Sequence, residues 1–203
     1  SLGAWDSRYL QTVTTVGMAM FGINFSVYYA VINRRFKDVL RDTEFRTYVL
    51  VFVAAALLIA LDVRGAFADF GEALHHSFFQ VSSVMTTTGY ATVNFDLWPA
   101  FSKLILLTLM VVGASAGSTG GGFKVVRIVL IFKAVKASIA KKLHPNRVKA
   151  VRLNGKSVSD ELITGVLEYL GVYVLIFVIS TEFSFQRMRR PISSRAGWMH
   201  IPP

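Results

Sequence analysis

Ser82-Ser83-Val84-Met85-Thr86-Thr87-Thr88-Gly89-Tyr90-Ala91-Thr92-Val93-Asn94 is the stretch whose reading decides the fold. Three threonines, a glycine and a tyrosine lie between two apolar segments of a very hydrophobic chain. Threonine offers hydroxyl and carbonyl oxygens, and glycine lets the backbone take positive φ so that successive carbonyls can point the same way. The segment reads as one strand of a cation selectivity filter. Replacing the hydration shell of a cation takes a ring of oxygens, and four such strands around an axis supply it.

The composition agrees with a membrane setting. The chain has 203 residues, of which 53% are hydrophobic, and a net charge of +10. The apolar residues come in long blocks, as membrane segments do. In a soluble protein such basicity would suggest nucleic acid, but here the positive charge lies between the apolar blocks, as in cytoplasmic loops. With no cysteine, a disulfide framework and a thiolate metal site are both excluded. The chain opens on Ser1, with no signal peptide before its first apolar block, and reads as a fragment.

Upstream of the threonines, Tyr9 to Ile32 contains no charged residue and is long enough for a tilted span. Asn24, alone and polar within it, reads as interhelical glue. Asn33 to Arg46 is a mixed-charge run that reads as a solvated helix. Thr47 to Leu61 is a short span that needs Arg46 to snorkel and the helix to lengthen slightly at each end. Phe70 to Met85 carries His75, His76, Gln80, Ser82 and Ser83. It is a poor full span and a good re-entrant helix, whose C-terminal dipole end would favour a cation at Thr86 and beyond. The adjacent histidines face different sides of a helix and read as packing residues, not metal ligands.

Downstream, Phe101 to Phe132 is apolar but interrupted by Gly113-Ala114-Ser115-Ala116-Gly117-Ser118-Thr119-Gly120-Gly121-Gly122. Three consecutive glycines cost a helix about 1 kcal/mol each relative to alanine. Two placements fit: one span from Leu104 to Phe123 with the glycines near its end, or a helix broken at mid-membrane. Lys124 to Lys156 holds ten basic residues and no acidic one, whereas Asp62 to Ala100 has Arg64 alone against Asp62, Asp69, Glu72 and Asp96. The positive-inside rule therefore puts the basic segments in the cytoplasm and the filter mouth outside. Asn154-Gly155 signals a type I′ hairpin. Ser157 with Asp160 suggests a helix start leading into the apolar block Leu162 to Ile179. Phe185 to Pro203 reads as a disordered tail.

Thr87-Thr88-Gly89-Tyr90-Ala91 is similar to the T-V-G-Y-G pattern of potassium channels. Together with Gly22-Ile23-Asn24-Phe25, Arg41-Asp42-Thr43-Glu44-Phe45, Trp98-Pro99, Ala116 to Lys124, His144-Pro145 and Arg152-Leu153-Asn154-Gly155, it makes the chain resemble the Trk/Ktr/HKT superfamily of potassium transporters, in its TrkH- or KtrB-like membrane subunits. The resemblance runs to about Thr181. It implies an all-α membrane protein built on a helix–pore-loop–helix (M1-P-M2) unit of a pseudo-fourfold, channel-like transporter. It divides the chain into residues 1–46, the last helix of a preceding unit with its connector; 47–133, a complete unit; 134–160, a basic linker with a hairpin; 161–183, the first helix of the next unit; and 184–203, an atypical tail.

By the same resemblance, the function is potassium transport and not enzyme catalysis. K+ is the transported ion, held by backbone carbonyls of Thr87, Thr88, Gly89 and Tyr90, with no covalently bound cofactor. The loop of Gly113, Ala114, Ser115, Ala116, Gly117, Ser118, Thr119, Gly120, Gly121 and Gly122 is implied to be a gate under the filter, which favours the broken-helix placement. Implied partners are a second copy in a membrane homodimer, the lipid bilayer and a cytosolic nucleotide-binding (RCK-type) regulatory subunit, with no nucleic acid. The implied location is the inner (plasma) membrane, multi-pass.

The family carries four filter strands and this chain has one, so alone it is not expected to conduct. Ala91 replaces the second glycine, which leaves room for a Na+-permeable member. A non-conducting scaffold or remnant is the competing membrane reading. Gly117 to Lys124 also looks superficially like a phosphate-binding Walker loop. It lacks the G-K-[ST] ending, and apolar helix, not a strand, precedes it.

Overall fold

A computed structural model describes residues 2–5, 7–143 and 151–189. The chain forms two compact units, Ser1–Ser159 and Asp160–Pro203. In the first, α1 (Arg8–Phe21) and α2 (Phe25–Ile32) are followed by a short α3 (Phe36–Arg41) and the long α4 (Thr43–Val63). Then come α5 (Phe70–Met85), α6 (Ala100–Val112), α7 (Val125–Leu143) and a hairpin of β1 (Arg152–Leu153) and β2 (Lys156–Ser157). The second unit is α8 (Asp160–Arg189).

α4 organises the first unit. Tyr48, Phe52, Ala55, Ala56, Ile59 and Val63 recur at helical spacing and bury one face against Ala73, Val81 and Met85 of α5 and Leu106 and Leu109 of α6. Ala56, Ala60 and Ala73 are completely buried. Small side chains like these let helix backbones approach closely, where lipid supplies no hydrophobic drive between helices. The opposite face of α4 exposes Leu50, Leu57, Leu58 and Leu61, as a helix facing lipid does. Among the described residues, Thr43–Ala66 and Asp160–Phe183 are helical and apolar enough to cross a membrane.

α5 starts where Asp69 caps it, the carboxylate accepting the Gly71 N–H at 3.1 Å, with Glu72 in the first turn. Sixteen residues give it a length of about 24 Å, less than the roughly 30 Å apolar core. Each of its histidines meets a polar side chain of another segment. His75 Nε2 meets Gln11 Oε1 and His76 Nδ1 meets Thr92 Oγ1, both at 2.9 Å. No group of three or more potential metal ligands occurs among the described residues.

Several sequence expectations need correction. The block from Tyr9 to Ile32 is not one straight helix, because α1 and α2 meet at 94°. Gly22, Ile23 and Asn24 break it. Asn24 accepts the Ser26 N–H at 2.9 Å and so starts a new helix instead of continuing the old one. Only Phe36–Arg41 of the mixed-charge run makes its own helix, while Thr43 already belongs to α4. The basic segment after Lys124 is largely helix, running to Leu143. α8 continues to Arg189, so the tail's first residues are helical; the rest of that expected tail lies outside the described residues, as does His144-Pro145. Ser157 lies in β2, and α8 begins at Asp160 without it. The hairpin itself is as expected, with Arg152 opposite Ser157, and Asn154 and Gly155 at φ 50° and 81°.

The C-terminal end of α4 and the N-terminal end of α6 are joined by Asp62. Its Oδ2 accepts the Ser102 N–H at 3.2 Å and the Ser102 hydroxyl at 2.6 Å. Ser102 is fully buried, so truncating Asp62 strands two donors. Asp62→Ala is expected to cost about 1–3 kcal/mol, read as a melting temperature lowered by several degrees in detergent. Asp62→Asn, which keeps one acceptor, falls between it and the parent.

Candidate functional site

Two irregular segments meet in the first unit: the threonine turn after α5 and the glycine-rich loop after α6. The turn is built by returning its amides to the helix it leaves. Thr86 N–H bonds Ser82 O at 3.1 Å, Thr87 N–H bonds Val84 O at 3.1 Å, and Thr88 N–H bonds Ser83 O at 2.9 Å. Gly89 N–H also faces Ser83 O, at 3.5 Å. Thr87 and Gly89 take φ of 56° and 82° to do so, a left-handed conformation that is natural for glycine and costly for threonine. The Thr86 and Thr88 hydroxyls meet at 2.8 Å.

With the amides consumed, three carbonyls of the turn are left unbonded. Among the described residues nothing donates to the carbonyl oxygens of Thr87, Thr88 and Gly89, and all three residues are exposed. Tyr90 differs, since its carbonyl accepts the Ser83 hydroxyl at 2.6 Å. Ala91 O accepts the Gly3 N–H at 3.1 Å. The turn follows the C-terminus of α5, where partial negative charge favours a cation.

The loop from Gly113 to Lys124 leaves α6 and returns to it. Phe123 N–H bonds Val111 O at 2.9 Å and Lys124 N–H bonds Val112 O at 2.8 Å, so α7 begins beside the point where α6 stops. α6 ends at Val112, and no single helix runs from Leu104 to Phe123. Its 13 residues give a length of about 20 Å, well short of a full crossing. Gly113 sits at φ 71° and ψ −162°, a region open essentially to glycine alone. A Cβ there would run into the Gly121 carbonyl, and one on Gly122 would come within 2.7 Å of Gly113 Cα.

The loop lies against the threonine turn on one side and the α1–α2 break on the other. Gly121 N–H donates to Thr87 Oγ1 at 2.9 Å, and a Cβ on Gly120 would stand 3.4 Å from Thr86 O. On the far side Ser115 N–H bonds Gly22 O at 3.1 Å, Thr119 N–H bonds Phe21 O at 3.3 Å, and Phe25 N–H bonds Gly117 O at 3.1 Å. Glu44 Oε1 accepts the Ala116 N–H at 2.5 Å, and Oε2 accepts Asn24 Nδ2 at 3.1 Å. Lys124 Nζ donates to Gly120 O.

The residues picked from the sequence thus fall into one region, the four of the turn and the ten of the loop in contact through Thr87 and Gly121. Sequence reasoning missed Glu44, which looked like one charge among eight in a connector, and gave Asn24 no link to the loop. The available signal was position: Glu44 stands at the edge of an apolar block, where its carboxylate can reach inward.

Fold and site together define an all-α membrane protein in which a short helix, a threonine turn with unbonded carbonyls and a broken helix meet. The family model described as TrkH, cation transport protein, matches residues 1–191. The chain belongs to the TrkH family. It is similar to the Trk system potassium uptake protein TrkH of Escherichia coli K12, 30% identical over 183 residues, covering 89% of this chain and 38% of that protein. It is also similar to TrkG of the same organism, 30% identical over 180 residues and covering 88% of this chain and 37% of that protein. Among solved structures, the potassium transporter TrkH from Vibrio parahaemolyticus superposes with a TM-score of 0.80 at 29% identity, over 88% of this chain and 39% of that one. The chain therefore spans between a third and two fifths of the length of these relatives.

Gly113→Ala places a side chain where backbone already lies. It is expected to undo the return of the loop, costing about 1–3 kcal/mol locally. Hydrogen exchange would show this as protection of the Phe123 and Lys124 amides falling roughly tenfold, while the core amides of α4 are unchanged.

Proposed function

We propose that this chain supplies one quarter of a K+ pathway in the inner membrane, with the carbonyls of Thr87, Thr88 and Gly89 coordinating the ion and the Gly113–Gly122 loop gating passage beneath it. The observation that carries this reading is the division of labour in the turn: amides bonded inward, three carbonyls open. At membrane depth each unpaired carbonyl costs several kcal/mol unless something electropositive replaces water, and a dehydrated cation does that. One strand does not close a ring, so the pathway needs three more, from further units of a longer protein of the relatives' length.

Tyr90 belongs to the site in sequence, but its carbonyl is engaged by Ser83. That observation favours a second reading within the same class, a shorter filter with weaker discrimination of K+ from Na+ than a full set of carbonyl rings gives. Selectivity and rate are therefore both informative. In the complete protein carrying this segment, Gly89→Asp brings a carboxylate, costly by roughly 3 kcal/mol in a membrane interior, to a φ of 82°. K+ uptake is expected to fall at least about tenfold, or K+/Na+ selectivity to collapse. Unchanged uptake and selectivity would remove Gly89 from the filter.

The proposal extends to assembly as a homodimer and to an RCK-type nucleotide-binding partner on the cytoplasmic side. What supports a partner there is α7, whose Lys136, Lys141 and Lys142 are exposed at the end that the positive-inside rule places in the cytoplasm. Reversing those three charges to glutamate should abolish co-purification of such a subunit, and retained co-purification would move the contact elsewhere.

A further inference from the structure

Glu44 is 7% exposed, although it stands in the first turn of α4, where an acidic residue ordinarily caps its own helix. That task is done by Asp42, whose Oδ1 accepts the Phe45 N–H at 2.8 Å. Glu44 is thereby free to turn inward. One oxygen takes the Ala116 N–H of the glycine-rich loop, and the other takes Asn24 at the α1–α2 break. Both bonds use a carboxyl oxygen of Glu44 as the acceptor. A buried carboxylate is costly unless its partners are in place, so its affinity for them is a restraint on the loop. The α4 N-terminus adds favourable potential. Lys124, at the loop's other end, lies within electrostatic reach of the same carboxylate.

We propose that Glu44 is the positioning residue that latches the Gly113–Gly122 loop in its seat beneath the threonine turn. Its consequence for transport rests on the reading of that loop as a gate; the latch itself does not. The same geometry explains Asn24, which braces the carboxylate through Nδ2 while capping α2 through Oδ1. Apart from the bond of Lys124 Nζ to Gly120 O, the bonds that remain when Glu44 is removed are between backbone and hydroxyl groups, and the hydrogen bond that ties the loop to the threonine turn is that of Gly121 to Thr87.

Ser115 offers a reporter. It is 1% exposed, its hydroxyl has no partner among the described residues, and the chain contains no cysteine of its own. Ser115→Cys is close to isosteric and buried while the latch holds. In the complete protein in membrane vesicles, its modification by a small methanethiosulfonate reagent is expected to rise roughly tenfold or more with Glu44→Ala. The rise should be smaller with Glu44→Gln, which keeps one acceptor oxygen. Asn24→Ser preserves the α2 cap but withdraws the brace, and should move accessibility in the same direction by less; it decides the matter if Glu44→Ala does not fold. K+ uptake in the same vesicles is expected to gain maximal rate at an unchanged half-saturating K+ concentration, because the filter is untouched. Unaltered modification in Glu44→Ala, or in Asn24→Ser where the alanine variant fails, overturns the latch. Raised modification without raised uptake leaves the latch standing and removes the gate.

Discussion

Backbone that leaves a helix inside an apolar layer must still place its N–H and C=O groups, because no water is there to take them. This chain leaves the helix three times at one point: between α1 and α2, after α5, and after α6. Each departure is tolerable because the others serve it. Phe21 and Gly22 lose helical partners for their carbonyls and receive Thr119 and Ser115 of the loop. Phe25 starts a helix with a free amide and donates it to Gly117. The turn after α5 spends its amides on its own helix end. What is left over, among the described residues, is a set of unbonded acceptors on Thr87, Thr88 and Gly89, the feature on which the proposed cation site rests.

The helix scaffold around that point follows from composition. Ala55, Ala56 and Ala60 on α4 and Ala73 on α5 are buried or nearly so, which brings these two helices close and seats Tyr48 so that its hydroxyl reaches Ala19 O at 2.8 Å. Gly22 has no room for a Cβ beside that hydroxyl and Thr86. The contact between the α1–α2 break and the filter turn is therefore made through glycine, at backbone distance. A larger residue would separate the elements whose irregular backbones satisfy one another.

The sequence made the membrane class, the short α5 and the threonine turn that ends it legible, since each is a matter of length, apolar content and turn chemistry. The hairpin was legible for the same reason: Asn154-Gly155 has one comfortable conformation between strands. The break at Gly22–Asn24 was not. Twenty-four uncharged residues look like one span, and what bends them is the capping of α2 by Asn24 together with donors from a loop almost a hundred positions away. Glu44 was hidden likewise. Among Arg41, Asp42 and Arg46 it has the composition of a solvated connector, and only the return of the α6 loop to that level gives its carboxylate an amide. Local chemistry is written locally; a partner across the fold is not.

The two sides of the glycine-rich loop are not held equally, and this bears on which part of the assembly is free to rearrange. Toward the filter the loop is attached by one neutral bond, Gly121 to Thr87 Oγ1, of the kind worth about 1 kcal/mol. Away from the filter it is attached by backbone bonds to Phe21, Gly22 and Phe25 and by the Glu44 carboxylate. Motion that separates the loop from the threonine turn therefore meets its resistance on the side remote from that turn. A turn restrained by its own helix end keeps its geometry while the loop beside it is restrained by residues that do not touch the turn. Because Asp42 both caps α4 beside Glu44 and accepts Asn154 Nδ2 of the hairpin at 2.7 Å, that remote side is continuous with the β1–β2 hairpin.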